Sequence, residues 1–264
     1  MFEVSKAAQI YSKATEKIIV ALDVETAAEA RDTIAELRGE VGAFKIGLQL
    51  FTSAGASFVQ ETIATGVKVF LDLKFHDIPN TVAKASIEVA RLGVWMFNIH
   101  AVGGSEMMQK TVEEVRQFCE KENTIQPKII GVTVLTSSKR ETLMEVGIES
   151  EIGGQVLSLA RLAAKCGLDG VVASPQEVGL IRENIGKKDF LIVTPGIRSG
   201  KFKTEDSETS TENHFGTNDD QKRVMSAKEA VGLGSDYLVI GRPILQANDK
   251  ILAVREIIKQ IETP

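Results

Sequence analysis

The sequence predicts an α/β fold, a (βα)8 TIM barrel in a single domain over residues 1–264, and three observations predict it. Short apolar runs alternate with amphipathic stretches from residue 17 onward. The strand-like runs number eight, in about the 250 residues that such a barrel occupies. No G-x-G-x-x-G follows the first run, where a doubly wound sheet would bind its dinucleotide.

The first strand is expected at 17–22, from Ile18-Ile-Val-Ala-Leu22, with a helix at 26–38. A second strand at 43–48 carries Lys45 between Phe44 and Ile46, and a helix follows at 51–65. The third, at 67–73, is rich in β-branched and aromatic residues up to Leu71. Ile78-Pro79 then opens a helix at 79–92, since proline suits the first helical position. Strands at 94–100 and 128–135 flank a helix at 104–121. Strands at 170–173, 190–193 and 237–240 are shorter, with helices at 151–165, 176–185, 226–233 and 243–261. Runs buried on both faces are what a parallel sheet covered by helices requires.

The composition is 43% hydrophobic and 25% charged, enough to bury a sizeable core. A formal net charge of −5 leaves no basic footprint for nucleic acid or an anionic membrane. Residues 1–17 are mixed polar, without the apolar centre of a signal peptide, and no run approaches membrane-spanning length. Cys119 and Cys166 are isolated, which suits a reducing cytoplasm and predicts neither a disulfide nor a structural zinc.

The segment Phe70-Leu-Asp-Leu-Lys-Phe-His-Asp-Ile-Pro-Asn-Thr81 is where chemistry concentrates. Asp72 and Lys74 are one strand period apart and share a face, with Asp77 in the turn beyond. In this barrel the C-terminal strand ends carry the active site. There the chain places Asp23 after strand one, Lys45 on strand two, Asp72 and Lys74 on strand three, Asn98-Ile-His100 on strand four and Thr136 after strand five. Strand seven ends Thr194-Pro-Gly-Ile-Arg198 and strand eight ends Gly241-Arg242-Pro243. Loops after strands seven and eight form phosphate sites in many barrels, and Arg242 adds a forked cation. The expected ligand is a phosphorylated small molecule.

Each of these residues also has a plainer reading. Lys45 could be a strand-end surface lysine, Arg198 and Arg242 could pair with surface carboxylates, and Asp23 could cap the helix near Thr26. His76 suits a positioning or surface role, His100 a wall position, and His214 a loop. The order in which the charges fall at strand ends favours the functional reading.

Asp72-Leu-Lys-Phe-His-Asp-Ile-Pro-Asn-Thr81, with Ala21-Leu-Asp23, Phe44-Lys-Ile-Gly47, Val134-Leu-Thr-Ser137, Pro195-Gly-Ile-Arg198 and Ile240-Gly-Arg-Pro243, resembles the orotidine 5′-phosphate decarboxylase family. The resemblance runs in order from about residue 17 to the end of strand eight. It implies conversion of orotidine 5′-monophosphate to uridine 5′-monophosphate in pyrimidine synthesis, with neither metal nor organic cofactor. It also implies a homodimer whose two sites each borrow residues from the partner.

Carried over by position, Lys74 matches the lysine that protonates the pyrimidine carbon and Asp72 the aspartate beside the substrate carboxylate. Asp77 and Thr81 match residues delivered to the neighbouring site. Lys45 completes the alternating charges and, with Asp23, matches ribose contacts, while Thr136 matches a base contact. Arg198, Gly241 and Arg242 match phosphate and lid contacts, and Gln221 the glutamine bridging base and phosphate. The chemistry is coherent, because carboxylates around a lysine favour its ammonium form, which is an acid. A preorganised cation also stabilises the carbanion left by departing carbon dioxide.

Residues 199–220 are polar and almost without aliphatics, a long loop where the family carries its lid. A related sugar-phosphate enzyme that binds magnesium through a similar Asp-x-Lys-x-x-Asp box is the nearest alternative. The Ile-Pro-Asn-Thr continuation and Thr136 favour the pyrimidine enzyme. A Schiff-base aldolase would need an uncharged lysine, against the flanking carboxylates. A silent phosphate-binding barrel fits poorly with an intact charge network.

Overall fold

The computed structural model describes residues 13–198 and 224–263. In them eight parallel strands close into a barrel in sequence order: β1 (Ile18–Ala21), β2 (Ala43–Gly47), β3 (Val69–Phe75), β4 (Met96–His100), β5 (Lys128–Val132), β6 (Gly170–Val172), β7 (Leu191–Thr194) and β8 (Tyr237–Ile240). β8 pairs back onto β1 with Ile19 opposite Val239, so the sheet has no edge. The eight expected strands are all present.

Side-chain parity sorts each strand into two faces. Ile19, Ala43, Phe70, Met96, Ile130 and Val239 pack together inside the barrel. Their alternates, among them Val20, Phe44, Val69, Leu71, Phe97 and Ile99, join the larger core beneath the helices. Burial on both sides follows, and β1 is buried throughout. Continuing the inward parity up each strand gives Asp23 from Ala21, Lys45 from Ala43, Asp72 from Phe70, Asn98 from Met96 and Gly241 from Val239. The apolar plug of the barrel thus carries a polar layer on top.

Several boundaries differ from expectation. β3 runs on to Phe75 instead of ending at 73, with an irregularity in its pairing to β4. β5 stops at Val132, and Thr133 then bonds Val172 O through both its N–H and its hydroxyl. An unanticipated short helix, Arg140–Glu145, follows, tied down by Arg140 to Ile148 O and to Glu151. The helix expected at 51–65 begins at Leu48 and bends at Gly55, whose φ of 73° suits glycine. The last expected helix splits into Arg242–Leu245 and Lys250–Glu262, the second capped by Asp249 through Leu252 N–H at 2.8 Å.

Candidate active site

The polar layer is a chain of alternating charges. Lys45 Nζ stands 3.1 Å from Asp23 Oδ1 and 3.4 Å from Asp72 Oδ2, and Lys74 Nζ stands 2.6 Å from Asp72 Oδ1. β2 and β3 are neighbours with Lys45 opposite Phe70 and Gly47 opposite Asp72, so Lys45 and Asp72 share a face one strand period apart, within reach of each other. A cavity of about 200 Å³ opens over them, lined by Asp23, Lys45, Gly47, Asp72 and Lys74.

Burial makes these charges interdependent. Lys45 is 8% exposed. Burial alone would lower the Lys45 ammonium, yet the charges of Asp72 and Asp23 outweigh it and hold its pKa above the usual lysine value. Burial likewise pushes the Asp72 carboxyl up, but Lys45, Lys74 and hydrogen bonds from Lys74 and Asn98 bring it below the ordinary aspartate value. His100, half-buried, is pushed down by desolvation and by His76 and Lys74; its ring lies 5.6 Å from that of His76.

Asp23 does not cap the helix after β1: Thr26 does, accepting from Glu29 N–H at 3.2 Å, while Asp23 turns to Lys45. Gly241 closes the ring from β8, and a Cβ there would stand 3.4 Å from Asp23 Oδ2. Asp77 lies outside the cluster, exposed, its Oδ1 accepting from Ile78 N–H at 2.6 Å. Thr81 is also exposed, in the first turn of the helix Pro79–Arg91. Thr136 is half-buried in the turn beyond β5. Arg198 is exposed, with its N–H donating to Met225 O at 3.0 Å, and Arg242 is exposed at the start of its short helix. Gln221, His214 and the loop at 199–220 lie outside the described residues.

Asn98 is the residue that the assignment of roles passed over. It is 1% exposed, a polar side chain between Phe97 and Ile99. Its inward parity with Met96 was the available signal.

A closed parallel barrel with a part-buried lysine–aspartate–lysine chain at its C-terminal mouth defines a (βα)8 enzyme architecture. A model of the orotidine 5′-phosphate decarboxylase / HUMPS family matches residues 16–257. The chain belongs to that family. It is 49% identical to orotidine 5′-phosphate decarboxylase of Syntrophotalea carbinolica, covering 94% of this chain and 96% of that one. With the enzyme of Geobacter sulfurreducens the identity is 51%, over 94% and 97%. The crystal structure of orotidine 5′-phosphate decarboxylase from Lactobacillus acidophilus superposes with a TM-score of 0.76 at 35% identity, covering 93% and 99%.

Proposed function

We propose that this chain converts orotidine 5′-monophosphate to uridine 5′-monophosphate and carbon dioxide, with Lys74 as proton donor and no cofactor. The observation that carries the reading is the Lys45–Asp72–Lys74 chain at the barrel mouth, supported by relatives of that name at about half identity over nearly the whole chain.

In this reading the bond between the pyrimidine ring and its carboxylate breaks, and the electron pair stays on the ring carbon. The Lys74 ammonium stabilises that charge as it develops and then gives its proton to the carbon, forming the new C–H bond. Asp72 holds Lys74 in place and faces the departing carboxylate. Asp23 and Lys45 bind the ribose, Thr136 the base, and Arg198, Gly241, Arg242 and Gln221 the phosphate side. Binding energy from the remote phosphate closes and orders the site. The functional unit is a homodimer in which Asp77 and Thr81 serve the partner's site, in keeping with their exposure beside Ile78, itself 67% exposed. A cytoplasmic setting fits the two free, buried thiols, Cys119 and Cys166.

The test follows orotidine 5′-monophosphate absorbance with and without a chelator. Turnover is expected unchanged by chelation. Lys74→Ala is expected to abolish it while uridine 5′-monophosphate still binds. Loss on chelation restored by magnesium, or near-normal turnover by Lys74→Ala, would overturn the assignment.

A further inference from the structure

We infer that Asn98 is a positioning residue for the reaction, holding Asp72 and Lys74 in register through one side-chain amide. The inference rests on the decarboxylase reading for its kinetic consequences and on geometry alone for its structural ones.

The β3–β4 pairing is regular at Leu71–Phe97 and resumes at Phe75–Ile99. Four steps along β3 therefore face two along β4, and the surplus falls on Asp72, Leu73 and Lys74. Asn98 is the β4 residue opposite that surplus. Lys74 takes a φ of 54°, the left-handed region that a residue with a long side chain rarely adopts. Its N–H donates to Asn98 Oδ1 at 2.8 Å, so the side chain of Asn98 supplies the acceptor.

The other half of the amide is directed by the same bond. A backbone N–H only donates, so Oδ1 must face Lys74 and Nδ2 must face away from it. Nδ2 donates to Asp72 Oδ1 at 2.7 Å, the oxygen that also receives Lys74 Nζ at 2.6 Å. The remaining Asp72 oxygen is thereby left to Lys45. One buried amide fixes the Lys74 backbone, the Asp72 carboxylate rotation and the division of that carboxylate between two lysines. No other common side chain of this size offers an acceptor and a donor in that orientation; aspartate keeps the acceptor and loses the donor.

Asn98→Asp is nearly isosteric and separates positioning from bulk structure. The groups around the new carboxyl are Asp72 and Lys74 on β3, Lys45 beyond Asp72, and His100 with His76 at the same end of the barrel; β5 offers only Ile130, which does not titrate. At pH 8 the new carboxylate repels Asp72, and kcat is expected to fall about 10- to 100-fold with KM little changed. As pH falls the added carboxyl binds a proton and donates as the amide did, so kcat relative to the parent at each pH should recover. Asn98→Ser, measured alongside, should lose kcat without that recovery. The Asp72 carboxyl, followed by carbon-13 NMR, should titrate at higher pH in Asn98→Asp than in the parent. An unchanged Asp72 titration overturns the inference whatever the protein does with the nucleotide. So does an Asn98→Asp profile that parallels the parent at every pH. An inactive parent whose Asp72 titration still responds to Asn98→Asp would overturn the decarboxylase reading and leave the positioning role standing.

Discussion

At the scale of single residues, the site is a network of charges around one buried pair, Lys45 and Asp72, with Lys74 half-buried and Asp23 exposed at its ends. Asp72 sits between two lysines with both oxygens engaged, and Lys45 sits between two aspartates. Removing Asp72 leaves the buried Lys45 with only the exposed Asp23 beside it, a loss of about 3 kcal/mol for a buried pair. The pH dependence follows in sign. The Asp72 carboxyl is depressed in the folded protein, so its contribution is present above the unfolded carboxylate value of about 3.9 and fades as pH falls through the folded value. Lys45 is raised, so its contribution is present below the unfolded lysine value of about 10.4 and fades as pH rises through the folded one. The stability difference between the native protein and Asp72→Asn should then be flat from about pH 5 to pH 9 and shrink below about pH 4. Chemical denaturation across that range measures it. A difference that grows in acid would contradict the charge network.

Among elements, the two rims of the barrel divide chemistry from stability. At the N-terminal rim, Asp236 Oδ2 accepts from Ile192 N–H at 2.7 Å and pairs with Arg182. Arg182 also donates to Phe190 O at 2.6 Å and to Gly234 O at 2.8 Å, joining the approaches to β7 and β8. Asp169 plays a similar part for β5, accepting from Ile129 N–H at 2.9 Å. Trp95 and Tyr237 meet edge to face at 5.1 Å as β4 and β8 begin. Arg182→Ala leaves carbonyls and a carboxylate without their cation, so unfolding free energy should drop by about 2 kcal/mol. Turnover by the folded variant should stay within about twofold, because the active rim is at the other end. A large loss of kcat with unchanged stability would place Arg182 in the wrong half of this division.

For the whole molecule, the question is what completes the site. Asp77, Ile78 and Thr81 are exposed at the active rim, and Asp77 makes no ion pair with Lys74 of its own chain among the described contacts. If each site takes Lys74 from one chain and Asp77 from the other, mixing inactive Lys74→Ala and Asp77→Ala chains should restore activity. Heterodimers then hold one site with both defects and one with none, so activity should approach a quarter of the parent's at equal mixing, since about half of the dimers are mixed and each carries one good site. Verified heterodimers without activity would mean that Asp77 acts within its own chain.

The strand count, the alternation with helices, the strand-end places of Asp23 and Lys45 and the shared face of Asp72 and Lys74 were legible in the sequence, because a two-residue period and an apolar run are local properties of the chain. So was the prospect that Lys45 belongs to the site, since Phe44 and Ile46 commit its strand to burial. Family resemblance supplied the roles of Thr81, Thr136 and the phosphate-side residues, which no local pattern gives. Tertiary structure decided where β3 departs from its partner, the left-handed turn at Lys74, the early end of β5 and the break before Lys250. It also decided that Thr26, not Asp23, caps the helix after β1. Asn98 shows the reason most directly. Its neighbours Phe97 and Ile99 announce a buried strand, but its partners lie 24 and 26 residues away. Which strand end meets which depends on the register in which the barrel closes, and a hydrogen bond across that register has no signature in either segment alone.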